Sequence, residues 1–368
     1  MYLSVINLFV LTVTAVLGDG VIYPEQSLCP SYYQCHNISL CPGAVQQWNN
    51  GYPPTICGWD KDIPSVCCIT LSSLVKVPNE DSRNRNTERR PIRLSSISQT
   101  GCGRREYIPP PSDAYIGGFD SLYKWSWLAA IFAGDSSTQL CGATVIDDRH
   151  ILTAAHCFNG RSLNPQDYSI RIGEVDISKT NTSYEIQEIK LHEDYIPRYH
   201  YNDIAIIRFA QPIGDGSDAV CILEEDILQD GDLLTGLGWG RLSFGGRSAT
   251  ILQVAPGIPV VGNEDCNTKY QRVSNAAVPY GITDDFICAG LEEGGLDACQ
   301  GDSGGPLVYQ FAYEQWALMG IVSFGHKCGE PGFPGVYTRV SSFLPWIEQY
   351  IQNQRQSESF RRGPTYVE

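Results

Sequence analysis

The stretch DACQGDSGGPL, Asp297 to Leu307, carries two acids, a cysteine, a serine and three glycines before it closes on proline and leucine. Glycine admits backbone conformations that other residues avoid and leaves neighbouring N–H groups unobstructed, so Ser303 is displayed rather than packed. A serine displayed in this way is a candidate nucleophile. Its hydroxyl is weakly reactive alone and requires a base within hydrogen-bond reach, with a third group to orient that base. The base candidate is His156 in LTAAHC, which follows small residues and abuts Cys157, a residue able to lock its loop. The third is Asp203 in YNDIAIIRF, at the mouth of a strongly apolar run, where a partly buried carboxylate needs a partner such as an imidazole N–H. Singly, these read as a loop histidine, a capping aspartate and a turn serine. Together they read as one site.

Around these residues the chain is punctuated as an all-β protein. From Tyr115 onward, short runs such as ATVI, YSIRIG, DIAIIRF, LLTGLGWG and WALMGIVSFG are separated by Gly, Pro, Asn and Asp, which predicts a barrel or sandwich. A helical pattern occurs only in SSFLPWIEQYIQNQ, where Leu344, Ile347 and Ile351 share a face. Residues 353–368 read as a disordered tail.

The 368 residues allow two to three domains, and 42% hydrophobic content is enough for a substantial core. A net charge of -15 argues against nucleic acid as a partner, since phosphate binding needs a basic patch. The apolar run YLSVINLFVLTVTAVL, residues 2–17, ends near Val16 and Gly18 and predicts a signal peptide over 1–18 rather than a membrane anchor, hence a secreted, extracellular protein with no membrane partner. The 14 cysteines then predict seven disulfides. The sequons at Asn37 and Asn181 fit glycosylation in that compartment.

Six of the cysteines, Cys29, Cys35, Cys41, Cys57, Cys67 and Cys68, crowd a module at 28–69 too small to hold a core without staples. Disulfides are preferred there over zinc, whose usual ligand spacing is absent. A stretch over 70–114 follows, in which NEDSRNRNTERRPIRLSSISQT reads as an extended linker whose arginines serve as solvated spacer, docking patch or protease-sensitive site.

The blocks TAAHC, DIAII and GDSGGP resemble those of the chymotrypsin and trypsin family of serine proteases, over residues 115–352. The resemblance implies a two-barrel domain with a C-terminal helix and the roles of that family's template triad. Ser303 would attack the scissile carbonyl, His156 would take and return the proton, and Asp203 would hold the imidazole tautomer. The N–H groups of Gly301 and Ser303 would form the oxyanion hole. Asp297 would lie at the base of the substrate pocket and select Arg or Lys, with Gly325 and Gly335 keeping its walls open and Ser323 with Gly325 binding substrate backbone. The implied disulfides are Cys141–Cys157, Cys266–Cys288 and Cys299–Cys328, which leaves Cys102 with Cys221 as a tether to the N-terminal segment. The first module resembles a clip domain, implying Cys29–Cys67, Cys35–Cys57 and Cys41–Cys68.

Clip and protease together resemble the arthropod zymogens of haemolymph cascades in innate immunity, melanisation or clotting. The implied partners are an upstream activating protease, a downstream zymogen as protein substrate, and a serpin-type inhibitor. The chain departs from that family at SDAYIGGF, which would place activation between Ala114 and Tyr115, with alanine where Arg or Lys is usual. The freed amino group would pair with Asp302. That departure keeps a catalytically silent cofactor or adaptor as the alternative, and a digestive trypsin is a further one, disfavoured by the extra module. No cofactor is expected. Calcium is weakly suggested by Glu174, Asp176, Glu185 and Glu188 around the loop after Gly173.

Overall fold

A computed structural model describes residues 34–37, 56–60, 63–68, 92–107 and 123–362, the last range apart from 135, 137, 180–183, 215–217, 242–244, 272–277, 295–297, 299 and 313–314. Two compact units divide the chain, Met1–Glu88 and Arg89–Glu368. In the first, strands β1 (Gln34–Asn37), β2 (Ile56–Asp60) and β3 (Ile63–Cys68) form an antiparallel sheet in the order β1-β3-β2. Asn37 ends β1. The pairing of this unit's six cysteines, like the signal-peptide segment, lies outside the described residues.

The second unit opens with the ribbon β4 (Glu106–Tyr107) and β5 (Tyr123–Lys124). A barrel-like six-stranded sheet follows, built from β6 (Leu128–Ala133), β7 (Gln139–Val145), β8 (His150–Thr153), β9 (Tyr168–Ile172), β10 (Ile186–Leu191) and β11 (Ala205–Phe209), in the order β10-β11-β8-β7-β6-β9. Every residue of β8 and β11 is buried, as expected for apolar runs covered on both faces. The second barrel is closed, β12-β13-β14-β17-β16-β15. Its strands are β12 (Leu233–Gly238), β13 (Gln253–Val261), β14 (Phe286–Ala289), β15 (Pro306–Ala312), β16 (Gln315–Phe324) and β17 (Gly335–Arg339). The predicted all-β, two-barrel class is therefore observed.

Three sequence expectations change. The linker reading does not extend over its last residues, because Leu94 bridges to Leu223, the Ser95 N–H donates to Ile222 O at 2.9 Å, and Ile97 is buried. The Cys102–Cys221 disulfide and the Gly103 N–H to Ala219 O bond continue this attachment, and Arg105 lies over both Trp125 and Trp316. Alternation of a few apolar side chains with polar ones was too short to stand out as a strand.

A second helix, α1 (Asn263–Gln271), was not anticipated. It buries only Cys266 and Tyr270, one turn apart, and the Cys266–Cys288 disulfide fastens it, so it has no apolar stripe to read. The C-terminal helix α2 (Leu344–Arg362) runs on through ten of the residues assigned to the disordered tail, 353–362. Ile347 and Ile351 are fully buried in the core of the first sheet, and Gln354 reaches Glu188, so the polar end continues a helix already anchored. The Cys141–Cys157 disulfide also forms as expected, and Cys328 is disulfide-bonded, its expected partner Cys299 lying outside the described residues.

Ile347→Ala removes a fully buried side chain at the seam of helix and sheet. The expected cost is about 2–5 kcal/mol, read as a lowered thermal midpoint of the intact protein; an unchanged midpoint would show that the helix contributes no packing.

Candidate active site

His156 sits in the 3-10 turn Ala155–Phe158 that follows β8, and the Cys141–Cys157 bond ties this turn back to β7. Asp203 immediately precedes Ile204 and β11, which pairs with β8, so the two residues are brought together by strand neighbours remote in sequence. Asp203 Oδ1 accepts the His156 main-chain N–H at 2.8 Å, and Oδ2 lies 2.7 Å from His156 Nδ1. The carboxylate is completely buried. From the second barrel, Ser323 Oγ donates to Oδ2 at 2.5 Å and Thr338 Oγ1 donates to the Asp203 carbonyl at 2.9 Å.

Burial alone would raise the Asp203 pKa, but the charge and hydrogen bond of His156, the nearby His200 ring and the hydrogen bond of Ser323 outweigh it and hold the group well below the ordinary carboxylate range. Burial likewise opposes charge on His156. The Asp203 charge and the hydrogen bond to it prevail, so the imidazole pKa lies above its usual 6.5. An ionised Asp203 accepting at both oxygens requires the proton on Nδ1, which leaves Nε2 as the acceptor.

Ser303 is placed by its backbone. Its carbonyl accepts the Gly142 N–H at 2.8 Å and lies 3.9 Å from Cys157 Sγ, which sets the loop beside the histidine turn. Gly304 has φ +77, and a Cβ there would strike Thr153 Oγ1 and Gly142 O. Gly301 has φ +101. These two glycines therefore answer to conformation and close approach, as the quoted stretch implied. Among the described residues the Ser303 hydroxyl and the His156 ring are not hydrogen-bonded to each other. Such contacts commonly tighten only when substrate is bound.

The Arg241 N–H donates to Gln300 O at 2.8 Å, and in a planar trans peptide this turns the following Gly301 N–H the opposite way. Gln139 Nε2 holds the Gly301 carbonyl at 3.1 Å. Beside them a cavity of about 190 Å³ is lined by Ser303, Ala298, Ser323, Gly325, Gly335 and Tyr337. Gly325 and Gly335 thus stand on its wall. Ser323 does too, yet its hydroxyl is committed to Asp203. The Asp302 carboxylate accepts the Gly240 N–H at 2.8 Å and lies against Gly238 and Gly240, where a Cβ would overlap it.

Asp297, Ala114, Tyr115 and Asn181 lie outside the described residues. The four carboxylates suspected of holding calcium do not gather. Asp176 is taken by Ser178 and Lys179, and Glu188 accepts from Tyr350 and Gln354 of α2. Neither group of donors close enough to share a metal includes any of the four among the described residues. Sequence reading missed Thr338, Gln139, Arg241 and Gly240, which act through backbone or across the barrels and leave no local pattern. His200, three residues before Asp203, was visible but unmarked.

A displayed serine, a histidine and a buried aspartate where the barrel-like six-stranded sheet meets the closed barrel form a candidate serine hydrolase site. A family model described as Trypsin matches residues 116–347. Clotting factor G beta subunit of Tachypleus tridentatus is 35% identical over 314 residues, 83% of this chain and 99% of that protein. The proclotting enzyme of Tachypleus tridentatus is 31% identical over 90% of this chain and 92% of its own length, and venom serine protease Bi-VSP of Bombus ignitus is 33% identical over 79% of each. The chain belongs to the trypsin family of serine proteases and is a serine endopeptidase.

With His156 as the proposed base, which must be neutral to accept a proton, kcat/KM of the active protein is expected to rise with pH through an apparent pKa above 6.5. Asp203→Asn should lower both the rate and that pKa; a variant profile identical to the parent's would separate the aspartate from the histidine. The same raised pKa adds stability that is fully present below pH 6.5 and is lost as pH rises through the folded value.

Proposed function

We propose that the protein is a secreted trypsin-like endopeptidase that cleaves after Arg or Lys, is made as a zymogen, and activates a downstream zymogen in an extracellular cascade. The observation that carries this reading is the Asp203 carboxylate gripping His156 beside Ser303, next to a cavity whose walls include Gly325 and Gly335. In this reading Ser303 attacks the scissile carbonyl, His156 Nε2 receives its proton and returns it to the leaving amine, and Asp203 stabilises the imidazolium. The Gly301 and Ser303 N–H groups receive the oxyanion, and the orientation of the Gln300–Gly301 peptide supports that role. Asp297 supplies the negative charge for a cationic substrate side chain.

Cascade action is supported by relatives named clotting factor and proclotting enzyme that match over nearly their whole length. The amino-terminal cysteine module, with its three-stranded sheet, is read as a clip domain. Cys102–Cys221 would keep the cut amino-terminal piece attached after activation. Activation at Ala114–Tyr115 needs an enzyme that accepts alanine, and the new Tyr115 ammonium would approach Asp302 beside Gly240. Partners are then that activator, a zymogen substrate and a serpin-type inhibitor.

The protein, exposed to candidate activators, should acquire a Tyr115 amino terminus by mass spectrometry and then hydrolyse Arg and Lys peptides but not Phe peptides. Full processing without turnover would favour the silent cofactor instead. In the processed enzyme Asp297→Ser should erase the Arg preference while labelling of Ser303 persists; an unchanged preference would remove Asp297 from the pocket.

A further inference from the structure

His200 is not one of the three residues assigned to the chemistry above, yet it is held against them and helps keep Asp203 ionised. It has φ +46 and Asn202 has φ +53, a left-handed conformation uncommon for side-chain-bearing residues, and one that clusters at functional sites. The Asn202 side chain donates to the Asp194 carbonyl at 2.8 Å and pins the loop. The His200 ring packs on Phe324 with centroids 5.0 Å apart, and meets the His156 ring edge to face at 5.7 Å. Its Nδ1 is buried without a hydrogen bond, 3.7 Å from Asp203 Oδ2. His156 Nδ1 lies 2.7 Å from that same oxygen.

We propose that His156, His200 and Asp203 bind a borderline-soft divalent cation, zinc foremost, and that its binding reversibly silences the protease. The silencing, though not the binding, rests on the reading of His156 as the base.

One donor atom from each residue lies within 4.8 Å of the other two. A tetrahedral zinc with bonds of about 2.0–2.2 Å sets its donors about 3.3 Å apart. The observed 2.7 and 3.7 Å separations straddle that value, so each adjusts by only a few tenths of an ångström. Two imidazoles and one carboxylate suit zinc better than calcium or magnesium, which prefer oxygen donors. The two imidazole side chains are 17% and 26% exposed while the carboxylate is buried, so a cation would enter by displacement of the rings. Water would take the fourth position.

The proton count explains the silencing. Zinc takes the lone pair of His156 Nδ1, and the proton that nitrogen held passes by exchange with solvent onto Nε2, so no net proton is lost from the neutral ring. The neutral ring then carries its hydrogen on Nε2, the nitrogen that must accept from Ser303. Metal and substrate proton thus compete for one imidazole, and because both histidines must be deprotonated, the metal binds more tightly as pH rises.

The test uses the full chain with Ser303→Ala, titrated with zinc chloride against a fluorescent chelator at pH 6 and pH 8, alongside peptidase assays of the processed parent. Expected are one bound zinc per chain, tighter at pH 8, and parallel loss of peptidase activity restored by EDTA. His200→Phe keeps the stacking ring but removes the donor, and should weaken binding by at least about 100-fold, more than the loss of an outer-shell group; its activity, relative to its own metal-free rate, should no longer respond to zinc. His200→Gln serves as a second variant if the first melts early. Absence of zinc binding by the parent, or equal binding by both His200 variants, overturns the proposal. If zinc binds through His200 but the processed parent hydrolyses nothing even without metal, the cation site stands and the catalytic reading falls.

Discussion

The active-site region is organised by one buried carboxylate. Moving an ion out of water costs on the order of several kcal/mol, so Asp203 is tolerable only where donors surround it. They come from both halves of the unit: the His156 main chain and ring beside the first sheet, Ser323 on β16, and Thr338 of β17 on the Asp203 carbonyl. Loss of one donor would leave charge uncompensated. The same requirement that joins the two sheets also sets the tautomer of the histidine.

A second constraint is the lack of space around the serine loop. Gly304 presses against Thr153 and Gly142, while Asp302 occupies the room where Gly238 and Gly240 have no side chain. The loop is therefore gripped by β7 and β8 on one side and by the β12 end on the other. This close packing places the candidate nucleophile Ser303 without using its side chain as an anchor. The left-handed turn at His200 and Asn202 likewise sets an imidazole by its backbone, beside the same Asp203 oxygen that His156 meets.

Much of this was legible in the residues. Apolar runs bounded by Gly, Pro, Asn and Asp became strands because burial on both faces leaves that trace, as in β8 and β11. His156, Asp203 and Ser303 stood out because each sits in a local context with a chemical reason. What escaped notice acts over distance. Thr338 meets Asp203 across 135 positions and Gln139 meets Gly301 across 162, so neither has a sequence neighbour that betrays it. Helix α1 relies on a disulfide instead of a stripe, and residues 353–362 extend a helix secured upstream; periodicity cannot see either. The acidic residues near Gly173 suggested calcium, but charge in sequence does not reveal that Asp176 and Glu188 are already paired.

The central claim is that Asp203, through His156, activates the oxygen of Ser303. Reaction of the processed protein with a fluorophosphonate, followed by peptide mapping and timed labelling of Asp203→Asn and His156→Ala, measures that activation without any assumption about substrate. The account predicts a single adduct on Ser303 whose formation slows at least about 100-fold in each variant at pH 7. Labelling of another residue, or equal rates in the parent and both variants, would contradict it.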